Sequence, residues 1–366
     1  MWGMIRWVLW GLLMAMDLAL AQVSAPTAAP PKGERLYLMN WAEYMSPKVI
    51  ADFEALCHCQ VVQSYFTSLG ELLSKLKAGG TSQYDVVVPS DYVVKRMIQE
   101  KLLAKLDKSR IPNLKNLMPN LAPAASDPQG DYIVPYLWGT TGIAYDDRKI
   151  KLAAGTEPSW AILFDEKVNP DYPFALMGGS GMETMGAACA YLDLGFACRG
   201  KEAWLKAAQL IRDTKKRKNM VGFQDGTPAI HQLENGTLAA AMVYNGDFAF
   251  FKAQNPKLYE HLHFVLPKEG ANIWVDNMAI PARAPHPELA MAFINHVLDA
   301  KQGAELANFT HYATPNAAAR PYLDAALQAP LITPSQDDWQ RLHRLPQLVG
   351  SELRLYNQIW GAVLAQ

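Results

Sequence analysis

The chain has 366 residues, enough for two domains and far more than one minimal core needs. Half of them are hydrophobic and 19% are charged, the balance of an ordinary globular protein rather than a disordered one. With 34 basic and 35 acidic residues the net charge is -1, which removes any electrostatic case for nucleic acid or an anionic membrane surface as partner. A charged ligand must therefore be recognised at a local site.

At the N-terminus, Arg6 precedes an apolar run from Trp7 to Met16, and Ala19-Leu20-Ala21 follows as a small-x-small cleavage pattern. Asp17 interrupts the run, leaving it too short and too polar to span a bilayer comfortably. Residues 1–21 are expected to form a signal peptide cleaved near Ala21; a disordered or membrane-anchoring tail is the alternative. Residues 22–33, Pro/Ala-rich from Ser24, are expected to be a flexible leader. No Cys sits at the cleavage point, so no lipid anchor is expected, and the mature chain should be soluble and periplasmic.

From Arg35 onward, strand and helix patterns alternate. Arg35 to Met39 is a short apolar strand, and Ser46 to Leu56 a helix with Ser46 as N-cap and Pro47 in the first turn. Val61 to Tyr65 is a second strand, and Gly70 to Lys77 a helix ended by Gly79-Gly80. Asp85 to Val88 is a continuous apolar run suited to a buried parallel strand, and Asp91 to Glu100 restarts a helix after Pro89-Ser90. This order predicts a parallel sheet with helices on both faces. Tyr132 to Trp138 and Thr141 to Tyr145 read as two strands, and Glu183 to Leu192 and Ala203 to Thr214 as helices. Leu238 to Tyr244 and Trp274 to Ile280 are buried strands; Pro287 to Leu298, Lys301 to Asn308 and Gly350 to Leu364 are helical. Two α/β lobes joined by crossing strands is the simplest packing. Residues 34–137 with 277–320 would form the first lobe, and 138–276 with 321–366 the second.

The four cysteines fit an oxidising compartment. Cys189 and Cys198 flank a predicted helix end and could bridge. Cys57-His58-Cys59 lacks the second ligand pair of a zinc site and reads as two strained or free thiols. Neither a metal nor a cofactor is expected.

In open α/β sheets, ligands sit beyond the carboxyl ends of strands. That rule selects Asn40 to Tyr44, Ser90 to Tyr92 and Tyr244 to Asp247. The candidate set is Trp41, Tyr44, Tyr92, Tyr244, Trp274 and Tyr312, with the carboxylates Glu183, Asp247 and Asp276. Aromatic faces attract an ammonium and cover a methylene chain, and carboxylates neutralise the charge at each end. Each residue has a bland alternative: lobe packing for Trp41 and Tyr44, strand core for Trp274, a helix cap for Asp247. Asp276 stands apart, since a charge inside the apolar run from Ile273 to Ala279 needs a partner.

Several stretches carry a resemblance. Asn40-Trp41-Ala42-Glu43-Tyr44, Tyr84-Asp85-Val86-Val87-Val88-Pro89-Ser90 and Val134-Pro135-Tyr136-Leu137-Trp138-Gly139-Thr140-Thr141 come first. Asn245-Gly246-Asp247, Pro267-Lys268-Glu269-Gly270 before Trp274-Val275-Asp276, and Tyr312-Ala313-Thr314-Pro315-Asn316 follow. Together they resemble the spermidine/putrescine-binding proteins of bacterial ABC importers, over nearly the whole mature chain. The resemblance implies a two-lobed periplasmic-binding-protein fold (type II), α/β, each lobe a mixed sheet flanked by helices and joined by crossing strands. It implies ligand-lining roles for Trp41, Tyr44 and Ser90 in the first lobe, and for Trp274 and Asp276 as an aromatic and an amine-gripping acid. Asp247 matches an acid of putrescine-type members, and Tyr312 a lining tyrosine. Glu183 matches a helix-start glutamate once two extra residues are allowed before Gly195.

The departures leave the choice of polyamine open. Ala42 stands where a hydroxyl residue is usual, Tyr244 replaces a Trp, and Ser180 occupies the place of an additional acid in spermidine-preferring members; Tyr92 and Trp274 look spermidine-like. The implied partners are a small polyamine and the membrane permease of an ABC importer, with the chain a monomer and no nucleic acid bound. Catalysis is the weak competitor, because no nucleophile elbow, paired-histidine motif or phosphate-cradling loop is found. A same-fold binder of ferric iron or another organic amine, and a polyamine sensor, remain as alternatives.

Overall fold

The computed structural model describes residues 33–119, 121, 125–153, 155–179 and 181–365. The expected signal peptide and all but the last residue of the expected leader lie outside these, as does Ser180.

Ten strands are described: β1 (Arg35–Trp41), β2 (Gln60–Phe66), β3 (Val86–Val87), β4 (Ile133–Asp146), β5 (Phe174–Leu176), β6 (Met220–Phe223), β7 (Ala240–Tyr244), β8 (Leu262–Val265), β9 (Ala271–Ala279) and β10 (Leu342–His343). Their order is β2-β1-β3-β9-β4-β7-β5-β6, with β10 beside β9 and β8 beside β4. The expected parallel arrangement holds for β1 with β2 and β3, and recurs for β5 with β6 and β7. Between these two parallel groups β9 lies antiparallel to β3 and β4, and β4 antiparallel to β7 and β8, while the short β10 runs parallel to β9. The two strands expected at 132–138 and 141–145 are one, because Gly139 and Thr140 continue the ladder to Trp274 and Ile273 without a turn.

Helix boundaries follow local chemistry. The Ser46 hydroxyl accepts from the Lys48 amide at 3.2 Å and caps the helix Pro47–Cys57. Ser68 does the same for Leu69–Lys77 through the Glu71 amide. Both cysteine pairs are disulfides, Cys57–Cys59 and Cys189–Cys198. The reading of Cys57 and Cys59 as thiols is thereby corrected. His58, left-handed at φ 53, ends the helix and turns the chain so that the two Cα atoms stand 5.1 Å apart, within bridging range.

The buried apolar residues divide along the sheet. Two clusters lie around β1, β3 and the helix Pro287–Val297, and two around β5, β7 and the helices Met182–Tyr191 and Lys201–Lys215. A fifth draws on both sides. Its Ile273, Val275 and Trp138, from β9 and β4, pack with Ala307, Ala313, Ala249 and Leu327. The two-residue period of β9 therefore commits Ile273 and Val275 to this back face and turns Asn272, Trp274 and Asp276 to the other. Among the described residues no helix is long and apolar enough to cross a membrane.

Candidate functional site

On the face opposite Ile273 and Val275 lies a cavity of about 430 Å³, and all ten residues singled out from the sequence line it. Trp41 ends β1 with its indole nitrogen donating to the Val88 carbonyl at 3.1 Å and its ring 4.4 Å from Phe66. The chain then turns through Glu43 at φ 56 and brings Tyr44 inward. Ser90 occupies the N-cap position of the helix Asp91–Gln99, yet its hydroxyl makes no cap; it donates to Asp276 across an isolated antiparallel bridge. Tyr92, in the first turn of that helix, lines the same wall.

Asp276 is 5% exposed, and burial pushes its carboxyl up to about 7, opposed by Ser90 and Tyr44 and reinforced by the charges of Asp91 and Glu183. Asp247 sits in the first turn of the helix Asn245–Gln254; burial raises it to about 6, opposed by the Tyr312 hydroxyl, which donates at 2.6 Å. The capping alternative for Asp247 does not hold, since its carboxylate is given to Tyr312. Glu183 opens the helix Met182–Tyr191 and accepts from Thr141 Oγ1 at 2.7 Å, Asn272 Nδ2 at 2.9 Å and the Tyr244 hydroxyl at 3.3 Å. Burial raises it as well, against the pull of those hydrogen bonds. A cation entering this cavity would favour the ionised form of all three acids, so binding and ionisation reinforce each other.

The aromatic rings form a continuous wall. Tyr44 meets Tyr312 at 5.4 Å, Tyr312 meets Trp274 at 5.2 Å, and Trp274 meets Tyr244 at 5.7 Å, each edge to face. Two glycines seat this wall. A Cβ at Gly139 would lie 2.5 Å from Trp274 Cζ2, and one at Gly246 would lie 2.2 Å from Tyr312 Cε1. The Trp274 indole nitrogen is buried without a hydrogen-bond partner, which suits a surface completed by something else.

Sequence reasoning passed over Asp225, Thr141 and Asn272. Asp225 follows the short strand β6 and receives the amides of Gly178 and Gly179 at 3.0 and 2.8 Å. The strand-end rule would have found it, had the four residues of β6 carried a recognisable pattern. Thr141 and Asn272 face Glu183 only because β4 and β9 pair across the middle of the sheet. Among the described residues no three His, Cys, Asp or Glu side chains gather as a metal ion would require.

A family model described as bacterial extracellular solute-binding protein matches residues 48–334. The spermidine/putrescine-binding periplasmic protein of Salmonella typhimurium is 33% identical, over 90% of this chain and 92% of its own length. The putrescine/cadaverine-binding protein of Pseudomonas aeruginosa is 30% identical, over 96% of this chain and 99% of its own. Among solved structures, the TpPotD lipoprotein of Treponema pallidum superimposes with a TM-score of 0.78 at 30% identity, covering 90% of this chain and 99% of that one.

Proposed function

The chain belongs to the bacterial extracellular solute-binding proteins, and on that premise we propose that it captures a linear polyamine, putrescine or spermidine, in the cavity between its lobes. The observation that carries this reading is the wall of edge-packed aromatics in one cavity with three acids, Asp276, Asp247 and Glu183. Each acid can neutralise one ammonium, and the rings cover the methylenes between. The names of the relatives, which bind putrescine, cadaverine or spermidine, support the same ligand class.

Ferric iron fits less well. Two of the tyrosines it would recruit are already committed, Tyr312 to Asp247 and Tyr244 to Glu183. In this proposal the protein is not an enzyme. It is exported to the periplasm by a signal peptide cleaved near Ala21, works as a monomer and hands its ligand to the permease of an ABC importer. The lobes are residues 34–137 with 277–320 and 138–276 with 321–366, hinged on β4 and β9. The test is calorimetry on the mature, ligand-stripped chain with putrescine, spermidine and agmatine. One saturable site for at least one amine is expected; no heat and no competition with any of them would sink the proposal.

A further inference from the structure

The cleft does not end at Glu183. It adjoins a second chamber of about 460 Å³, the two meeting at a neck of residues that line both: Trp41, Thr67, Tyr92, Glu183, Asp225 and Tyr244. Past the neck, the C-terminal helix Gly350–Ala365 supplies Tyr356, Asn357 and Trp360 as one wall. Trp360 is 6% exposed, and its buried indole nitrogen has no hydrogen-bond partner. Tyr356 and Trp360 also belong to the core beneath, packed on Trp204 and Phe223, so this wall is held in place.

The two acids at the neck differ in what they have left to give. Glu183 accepts two hydrogen bonds on Oε1, from Thr141 and Asn272, and one on Oε2, from Tyr244. Among the described residues Asp225 accepts one amide on each oxygen, from Gly178 and Gly179, and its side chain is exposed in the cleft. Among the described residues that line the second chamber the positive group is Arg96, and Glu100 already holds its guanidinium at 2.9 Å. Net charge in the neck and second chamber therefore favours a cation.

We propose that Asp225 is a specificity-determining residue, receiving the additional ammonium of a cation longer than a diamine that threads from the inner chamber through the neck. This rests on the polyamine reading and deepens it: a diamine spans no further than the inner acids, whereas the longer chain of a triamine reaches the neck, where Asp225 is the exposed carboxylate. Tyr92 and Trp360, which line the second chamber, supply apolar surface for the added methylenes.

Titration of ligand-stripped wild type, Asp225→Asn and Asp225→Glu with spermidine and with putrescine tests it. Asp225→Asn should weaken spermidine by about fivefold and putrescine by less than about twofold, the scale of one partly solvated charge pair. Asp225→Glu, which keeps the charge, should preserve the wild-type ratio. The ratio is insensitive to any misfolded fraction, which lowers the number of sites and not the relative affinity. An unchanged spermidine-to-putrescine ratio in Asp225→Asn, with both amines still bound by wild type, overturns the role of Asp225 alone. Wild type that binds neither amine overturns the polyamine reading, and this inference with it.

Discussion

Asp276 occupies a strand in which every residue is buried, and its charge can be kept there only with a partner. In the folded chain burial holds it near 7 and Asp247 near 6, while aliphatic ammoniums stay protonated to about 10. The sign follows. A raised carboxyl pKa means that the neutral form is favoured in the folded, ligand-free protein, and the stability this gives is lost as pH rises through 6 and 7. A bound polyamine offsets that loss by pairing with the ionised acids. Polyamine affinity should therefore rise from about pH 5 to about pH 8, with protons released on binding near neutrality, and the ligand-induced increase in melting temperature should grow over the same range. Affinity that is flat across this range would mean that the acids do not meet the ligand. Asp276→Asn should cost about 2 to 5 kcal/mol of binding and flatten the upper part of the profile, whereas Asp276→Glu should retain most of both. Equal affinity for the two variants would make Asp276 a structural residue.

At the scale of elements, the helix Asn245–Gln254 shows how a backbone position serves the site. Gly246 lies in its first turn, where alanine would be the better helix former by about 1 kcal/mol. The added Cβ would nevertheless fall within the Tyr312 ring, at 2.2 Å from Cε1. The ring would have to move, and with it the hydrogen bond to Asp247 and the edge contacts with Tyr44 and Trp274. Gly246→Ala should thus leave the melting temperature of the ligand-free protein little changed, because propensity and crowding oppose each other. Its polyamine affinity should fall by about tenfold, the lower part of the usual overpacking range. Wild-type affinity in this variant would show that Tyr312 can shift without consequence. β9 makes the complementary case, since its alternation alone assigns Ile273 and Val275 to the back and Trp274 and Asp276 to the cleft.

Across the whole molecule, β4 and β9 pair from Ile133–Ala279 to Thr141–Asn272 and are the strands that the two proposed lobes share. Trp41, Tyr44 and Ser90 reach the cavity from one side, Glu183 and Asp247 from the other, so a ligand that touches both sets favours closure by that differential contact. Several contacts already join the halves at the site, among them Ser90 with Asp276, Tyr312 with Asp247, and Arg344 with the buried Asp91 at 3.2 Å. Small-angle scattering should give a smaller radius of gyration with a saturating polyamine than without it. Identical profiles would indicate a cleft that is closed before the ligand arrives.

Much of this was legible in the sequence, and for local reasons. The start at Ser46, the parallel β1 and β3 with their connecting helices, and the cleft-facing ends of β1, β3 and β7 follow from caps, periodicity and the strand-end rule. The anomalous charge at position 276 identified itself within nine residues of strand. What β3 and β4 would border could not be read that way. The insertion of β9 between them, antiparallel to both, brings Ser90 against Asp276 across 186 residues and Asn272 against Glu183 across 89. Short strands such as β6 and β10, of four and two residues, carry no period to detect, so Asp225 and the seat of the C-terminal segment emerged only in the folded chain. Local propensity and burial period decide which residues face inward, whereas the pairing of distant segments decides which of them meet, because it depends on how whole faces pack.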